Sequence, residues 1–172
     1  IANDAIDLEV YSGEILALLG ENGSGKSTLM NMLSGIYAPD AGSIQIHEKP
    51  VRFASPQDSI ASGIGMIHQH FKLVEVLSAQ DNIIAGQKGS FLLNRKAIRN
   101  EILALMEKYG LRIDPDRRVS DMSVGEKQTL EILKVLYRGA TVLVMDEPTA
   151  VLTPQETRHL FDIMRRMKEQ GC

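Results

Sequence analysis

The run Gly20-Glu21-Asn22-Gly23-Ser24-Gly25-Lys26-Ser27-Thr28 fits the pattern G-x-x-x-x-G-K-[ST] and follows directly on apolar Ile15-Leu16-Ala17-Leu18-Leu19. A strand, a glycine-rich loop and the start of a helix are required in that order, which confines the chain to α/β folds. The residue types have a physical reason. Glycines let successive backbone N–H groups close around phosphate oxygens, the helix that follows points its positive end at them, and Lys26 adds a point charge. Ser27 is placed to hold Mg²⁺. The bland alternative is a glycine-rich turn with a solvated lysine, but the apolar run before it and the amphipathic segment Thr28 to Ile36 after it supply the context of a phosphate-binding loop. A nucleoside triphosphate is the expected ligand.

With 172 residues, 44% apolar and 24% charged, the chain can form one domain with a real core. A formal charge of −3 leaves no basic stripe of the kind nucleic-acid-binding proteins carry, so no nucleic-acid partner is expected. The one cysteine, Cys172, cannot form an internal disulfide, which agrees with a reducing compartment. No apolar run approaches the roughly 20 residues that span a bilayer, and no basic-then-apolar leader opens the sequence. Any membrane role then passes through a partner. Ile1 in place of a starting methionine, and Gly171-Cys172 where a helix should hand over to a strand, read as the ends of a fragment.

Apolar patterning predicts strands at Ala5 to Val10, Glu14 to Leu19, Ser43 to His47, Ile64 to His68 and Thr141 to Met145. From about Lys72 to Arg138 no strand is expected, only helices near Ser78 to Gly86, Asn94 to Tyr109 and Ser123 to Tyr137, the second with an apolar face of Ile98, Ile102, Leu105, Met106 and Tyr109. A last helix starts at Thr153-Pro154-Gln155-Glu156, which offers an N-cap, a proline at the first helical position and a capping-box glutamate. Leu160, Ile163, Met164 and Met167 line its apolar face. A helical insert thus interrupts an α/β core.

Thr141-Val142-Leu143-Val144-Met145-Asp146-Glu147-Pro148-Thr149 is an apolar strand ending in two carboxylates, which an α/β sheet would place at its carboxyl edge, where ligands bind. Asp146 would hold Mg²⁺ and Glu147 would polarise the water that attacks a γ-phosphate. Taken alone, the segment could equally be an acidic turn after a core strand. Ser123-Val124-Gly125-Glu126 has capping-box spacing and so starts a helix; the same helix N-terminus, with a hydroxyl and the flexible backbone at Gly125, is also a second phosphate-binding surface.

The phosphate loop, the Ser123-Val124-Gly125-Glu126-Lys127-Gln128 segment and Asp146-Glu147-Pro148-Thr149, in that order around a helical insert, resemble the nucleotide-binding domain of ABC transporters over nearly the whole chain. The resemblance implies a P-loop NTPase core with a central mostly parallel sheet and an N-terminal antiparallel strand region, formed by residues 1–71 and 139–172. Residues 72–138 would be the helical subdomain that carries the signature. It makes Gln69, in His68-Gln69-His70-Phe71, the glutamine that touches Mg²⁺ and the attacking water, and Ala150-Val151-Leu152-Thr153-Pro154 the D-loop of a dimer seam. Within the family, Val124 in place of the usual glycine, Thr153-Pro154-Gln155-Glu156 after the DEPTA run and His70-Phe71-Lys72-Leu73-Val74 after Gln69 look like importers of simple sugars and nucleosides. Those carry two cassettes in one polypeptide, and this chain would be most of the first. His70-Phe71-Lys72-Leu73-Val74, together with Leu77-Ser78-Ala79-Gln80-Asp81-Asn82-Ile83, leans toward nucleosides.

What the resemblance implies of activity is ATP hydrolysis coupled to transport. MgATP would lie on Gly20 to Thr28, with Lys26, Gln69 and Glu147 as catalytic residues and Ser27, Gln69 and Asp146 toward the metal. Ser123 and Gly125 would close over a nucleotide held by a second cassette, the C-terminal half of the same polypeptide. Permease subunits in the membrane, and through them an extracytoplasmic solute-binding protein, are the further partners, which puts the protein peripherally on the cytoplasmic face. The adenine-stacking aromatic would lie before Ile1 and the switch histidine beyond Cys172. Two rival readings are an ABC-type ATPase acting on DNA or ribosomes, which the short insert and acidic balance disfavour, and a fragment that binds nucleotide without hydrolysing it. The remaining polar singles read as bland: His47 and His159 solvated, His68 and His70 flanking Gln69, Arg95, Lys96 and Arg99 a charged helix face with Arg117 and Arg118 like them, and Met145, Met164 and Met167 core fillers.

Overall fold

Helix starts are the most literal features of this sequence: those expected near Ser78, Asn94, Ser123 and Thr153 are each capped by that side chain, whereas the helix read from Thr28 begins at Lys26 without one. A computed structural model describes residues 2–87 and 94–172; residue 1 and the stretch 88–93 of the expected helical insert lie outside the described residues. In chain order the elements are α1 (Lys26–Leu33), β1 (Ile44–Ile46), β2 (Lys49–Val51), α2 (Pro56–Ala61), β3 (Ile64–Ile67), α3 (Ala79–Ile84), α4 (Arg95–Tyr109), a 3₁₀ turn (Val119–Asp121), α5 (Val124–Tyr137), β4 (Val142–Met145) and α6 (Pro154–Glu169). Ser123 and Glu126 close a reciprocal capping box on α5, and Thr153 and Glu156 close another on α6 with Pro154 in its first turn. Asn94 caps α4 by accepting from the Ala97 N–H, and Gly110 ends it in a left-handed conformation.

β3 and β4 pair in parallel, Ile64 opposite Val142 through Ile67 opposite Met145, while β1 and β2 form an antiparallel hairpin. His47 and Glu48 make its two-residue turn, both with positive φ (49° and 62°), as a type I′ turn demands. The sheet of the described residues is smaller than expected. Residues 5–10 and 14–19 form no strand, and much of their apolar surface is exposed, Leu19 at 93%. An apolar run becomes a strand only when a neighbour supplies its ladder, and neither segment pairs with β3 or β4. β2 and α2 were not foreseen. Lys49–Val51 carries a proline, which belongs to edge strands, and α2 spans six residues.

The core centres on α5, where every residue from Gln128 to Leu133 is buried. It packs on β3, α3, α4 and α6, with Ile67, Ile83, Ile102, Leu130, Leu133 and Ile163 among the most enclosed side chains. The apolar faces read from spacing are the ones that pack: Ile102 and Tyr109 of α4 are buried with Ile98, Leu105 and Met106 beside them, and Leu160, Ile163 and Met167 of α6 with Met164. α5 therefore carries the Ser123 segment at one end and packs against β3 toward the other.

Candidate functional site

At the phosphate loop, Gly25 stands at the N-cap of α1 with φ 91°, a conformation glycine adopts freely, and no side chain caps the helix. No acidic residue lies in the first turn. The positive end of α1 thus carries no compensating side chain of its own, while the Ala2 backbone and the Asn3 side chain lie against Gly25. Lys26 turns inward, its Nζ donating to the carbonyls of Gly20 (2.6 Å) and Glu21 (2.8 Å) and to Ser24 Oγ (3.4 Å), so the ammonium is encircled by its own loop. Glu21, Asn22, Gly23 and Ser27 are exposed, and Thr28 is half-buried. Asn3 reaches the loop from outside, its Nδ2 donating to the Gly25 carbonyl at 3.4 Å.

The parallel register of β3 and β4 brings the second group together. Asp146 directly follows β4, with its N–H donating to the Ile67 carbonyl at 3.1 Å, and Gln69 lies two residues past the end of β3. Both strand ends thus open on one edge, and across it Gln69 Nε2 donates to Glu147 Oε2 at 3.0 Å. Glu147 has φ 45°, which costs a non-glycine residue about 1 kcal/mol or more. Asp146 is half-buried and Glu147 exposed. No hydrogen bond joins the Lys26 loop to Asp146 or Glu147 among the described residues.

The third group is the N-terminus of α5. Ser123 Oγ accepts from the Glu126 N–H, and the Gly125 N–H, expected to be open to phosphate, donates to Glu156 Oε1 at 2.9 Å. A cleft of about 310 Å³ is lined by Gln69, Phe71, Val124, Lys127 and Val151, so the Gln69 segment, the Ser123 segment and the turn after β4 meet at one surface. Spacing alone missed two groups here. Glu156 was legible as a cap but not as a contact of Gly125. Glu131, buried in α5, accepts from the Lys72 N–H at 2.6 Å and so ties down the stretch after Gln69. A carboxylate inside the apolar run Leu130 to Leu136 was the available signal.

The solvated readings fare as follows: His47 and His159 are exposed, and Arg95, Arg99 and Arg117 pair with Asp81, Asp116 and Glu126 at the surface.

Residues 3–150 match the family model described as ABC transporter. The chain belongs to the ABC transporter family. It is 49% identical over 173 residues to the nucleoside import ATP-binding protein NupA of Lactococcus lactis subsp. cremoris, with 99% of this chain and 34% of that protein covered. It is 46% identical over 174 residues to the ribose import ATP-binding protein RbsA 1 of Burkholderia thailandensis, again with 99% and 34% covered. The chain thus spans about a third of the length of these ABC transporter relatives. Among solved structures, cbiO1 of Clostridium perfringens, part of the ABC transporter complex cbiONQ, superposes with a TM-score of 0.83 at 28% identity, covering 99% of this chain and 68% of that one. The α/β architecture is therefore that of an ATP-binding cassette. Among the described residues no helix is long and apolar enough to cross a membrane.

Proposed function

We propose that this chain is the first nucleotide-binding cassette of an ATPase that drives an ABC importer for a simple sugar or nucleoside. The observation that carries the reading is the Gln69–Glu147 hydrogen bond, which converges two residues 78 apart in sequence at the carboxyl edge of the β3–β4 pair. A glutamate there, held in a left-handed conformation, is displayed to solvent rather than folded into the strand end.

ATP would place its phosphates on the uncapped end of α1, with Lys26 and the amides of Gly23 to Thr28 neutralising charge. Glu147 orients the attacking water and accepts its proton as the bond to the γ-phosphate breaks. Gln69 spends its amide nitrogen on Glu147, which leaves its carbonyl oxygen for a cation. With the Ser27 hydroxyl and the Asp146 carboxylate it would supply oxygen donors of the kind Mg²⁺ takes, and the ion when bound would neutralise phosphate charge. Ser123 and Gly125 would face the nucleotide of a second cassette in the same polypeptide. Closure of the two cassettes would act on permease subunits through the surface around Gln69 and Val124. The solute is chosen by those subunits and by a solute-binding protein.

Relatives named for nucleoside and for ribose import, at 49% and 46% identity, support the substrate class. Glu147→Gln in the full-length protein tests the reading: MgATP binding is retained and turnover falls at least a hundredfold, since one catalytic base contributes about 10²–10⁴. Unchanged turnover would remove Glu147 from the mechanism.

A further inference from the structure

Two helix N-termini, each closed by a capping box and carrying a partial positive charge, lie close together where α5 and α6 begin. One carboxylate stands between them. Glu156 Oε2 accepts from the Thr153 N–H and the Thr153 hydroxyl, both at 2.9 Å, and Oε1 accepts from the Gly125 N–H at 2.9 Å. The first two bonds are local capping; the third crosses 31 residues to the segment that opens α5. Donors on both oxygens hold the Glu156 carboxyl below the usual range, the Thr153 backbone bond contributing most.

The opposing residue is shaped for this contact. A Cβ on Gly125 would lie 2.7 Å from Glu156 Oε1 and 2.9 Å from its Cγ, so any side chain there would push the carboxylate off the Gly125 N–H. On the far side, Thr129 Oγ1 donates to the Gly125 carbonyl at 2.9 Å, which fixes that residue from both ends.

We infer that Glu156 is a positioning residue that bridges the Ser123–Gly125 segment to the turn after β4, so that both are presented to the second cassette as one body. This rests on the reading under Proposed function. In a closed pair of cassettes, the Ser123 segment belongs to the helical insert and residues 150–153 to the core. Without the bridge residues 123–127 lose that tie to the turn before α6 while the phosphate loop stays intact.

The test uses the full-length protein with Glu156→Asp and Glu156→Gln, and Lys26→Ala as control. Aspartate keeps the charge and the cap on Thr153 but is one methylene too short for Gly125; glutamine keeps the length without the charge. Loss of one charge-assisted hydrogen bond predicts about a tenfold fall in kcat for Glu156→Asp, with MgATP affinity within about twofold of wild type. Amide exchange in the peptide spanning 123–127 should rise about tenfold while 153–157 stays protected. An aspartate variant with wild-type kcat and wild-type exchange at 123–127 would overturn the inference and leave Glu156 a cap. Equal deprotection of 153–157 would do the same. Failure of the functional reading looks different: wild type would not hydrolyse ATP, or Lys26→Ala would bind it as well as wild type does.

Discussion

Replacing Glu131 by alanine should release the chain that follows Gln69, and the structure sets the size of the effect. Glu131 Oε1 accepts from the Lys72 N–H at 2.6 Å, Oε2 lies 3.5 Å from Lys134 Nζ, and that Nζ donates to the Lys72 carbonyl at 2.7 Å. One residue is thus gripped at both its N–H and its carbonyl by a largely buried pair on α5, the Glu131 and Lys134 side chains being 5% and 13% exposed. Burial pushes the Lys134 amine below its ordinary range, against the pull of Glu131. Removing one member of a buried pair costs about 3–5 kcal/mol. Two features bring the figure to the low end: the Lys134–Glu131 separation is long, and Lys134 keeps the Lys72 carbonyl. A local cost of about 3 kcal/mol corresponds to roughly a hundredfold rise in opening at Lys72. Glu131→Gln keeps an acceptor for the Lys72 N–H and should cost about 1 kcal/mol, roughly fivefold. Hydrogen exchange of the peptide spanning 71–76 in the full-length protein reads both. Equal deprotection by Ala and Gln would show that charge, not the hydrogen bond, holds the segment; no change with Ala would refute the grip altogether.

Two further outcomes follow from named contacts. Burial, reinforced by donation to Glu101 Oε2 at 2.8 Å, pushes the Tyr137 hydroxyl up to about 12. Because the folded value lies above the ordinary 10, its stabilisation is complete below pH 10 and is lost as pH rises toward 12; Tyr137→Phe should abolish the latest step in a tyrosinate absorbance titration, and an unaltered titration would refute it. Gly65→Ala would put a Cβ 2.8 Å from the Cβ atoms of both Ala140 and Val135, neither of which can rotate away, so the thermal midpoint should fall by an amount worth about 1–3 kcal/mol. An unchanged midpoint would mean that β3 can shift away from α5.

Helices were legible here because their information is local. Ser123 with Glu126, Thr153 with Pro154 and Glu156, and the 3.6-residue apolar spacing of α4 and α6 each specify an element from a few neighbouring residues, and all are built as read. Strands were legible only where a partner exists. Thr141–Met145 and Ile64–His68 pair with each other and are found almost to the residue, whereas 5–10 and 14–19 carry comparable apolar patterns and form no ladder. Sequence reports a strand's faces, but its existence depends on hydrogen bonds to another segment, which periodicity does not encode.

The same distinction runs through the candidate site. Lys26, Ser123, Gln69 and Glu147 could be named because each stands in a recognisable local string, but what joins the strings is invisible in them. Gln69 meets Glu147 across 78 residues, Lys72 meets Glu131 across 59, and Gly125 meets Glu156 across 31. In two of these three contacts one partner is a backbone N–H, a group every non-proline residue carries, so residue type cannot reveal it. Two carboxylates, Glu131 and Glu156, therefore do in the folded chain what no motif assigns to them. Glu131 ties the stretch after Gln69 to the middle of α5; Glu156 ties the N-terminus of the same helix to the turn after β4. A displacement of α5 would therefore be felt both in the stretch after Gln69 and at the start of α6, which couples two segments that flank the β3–β4 strand edge.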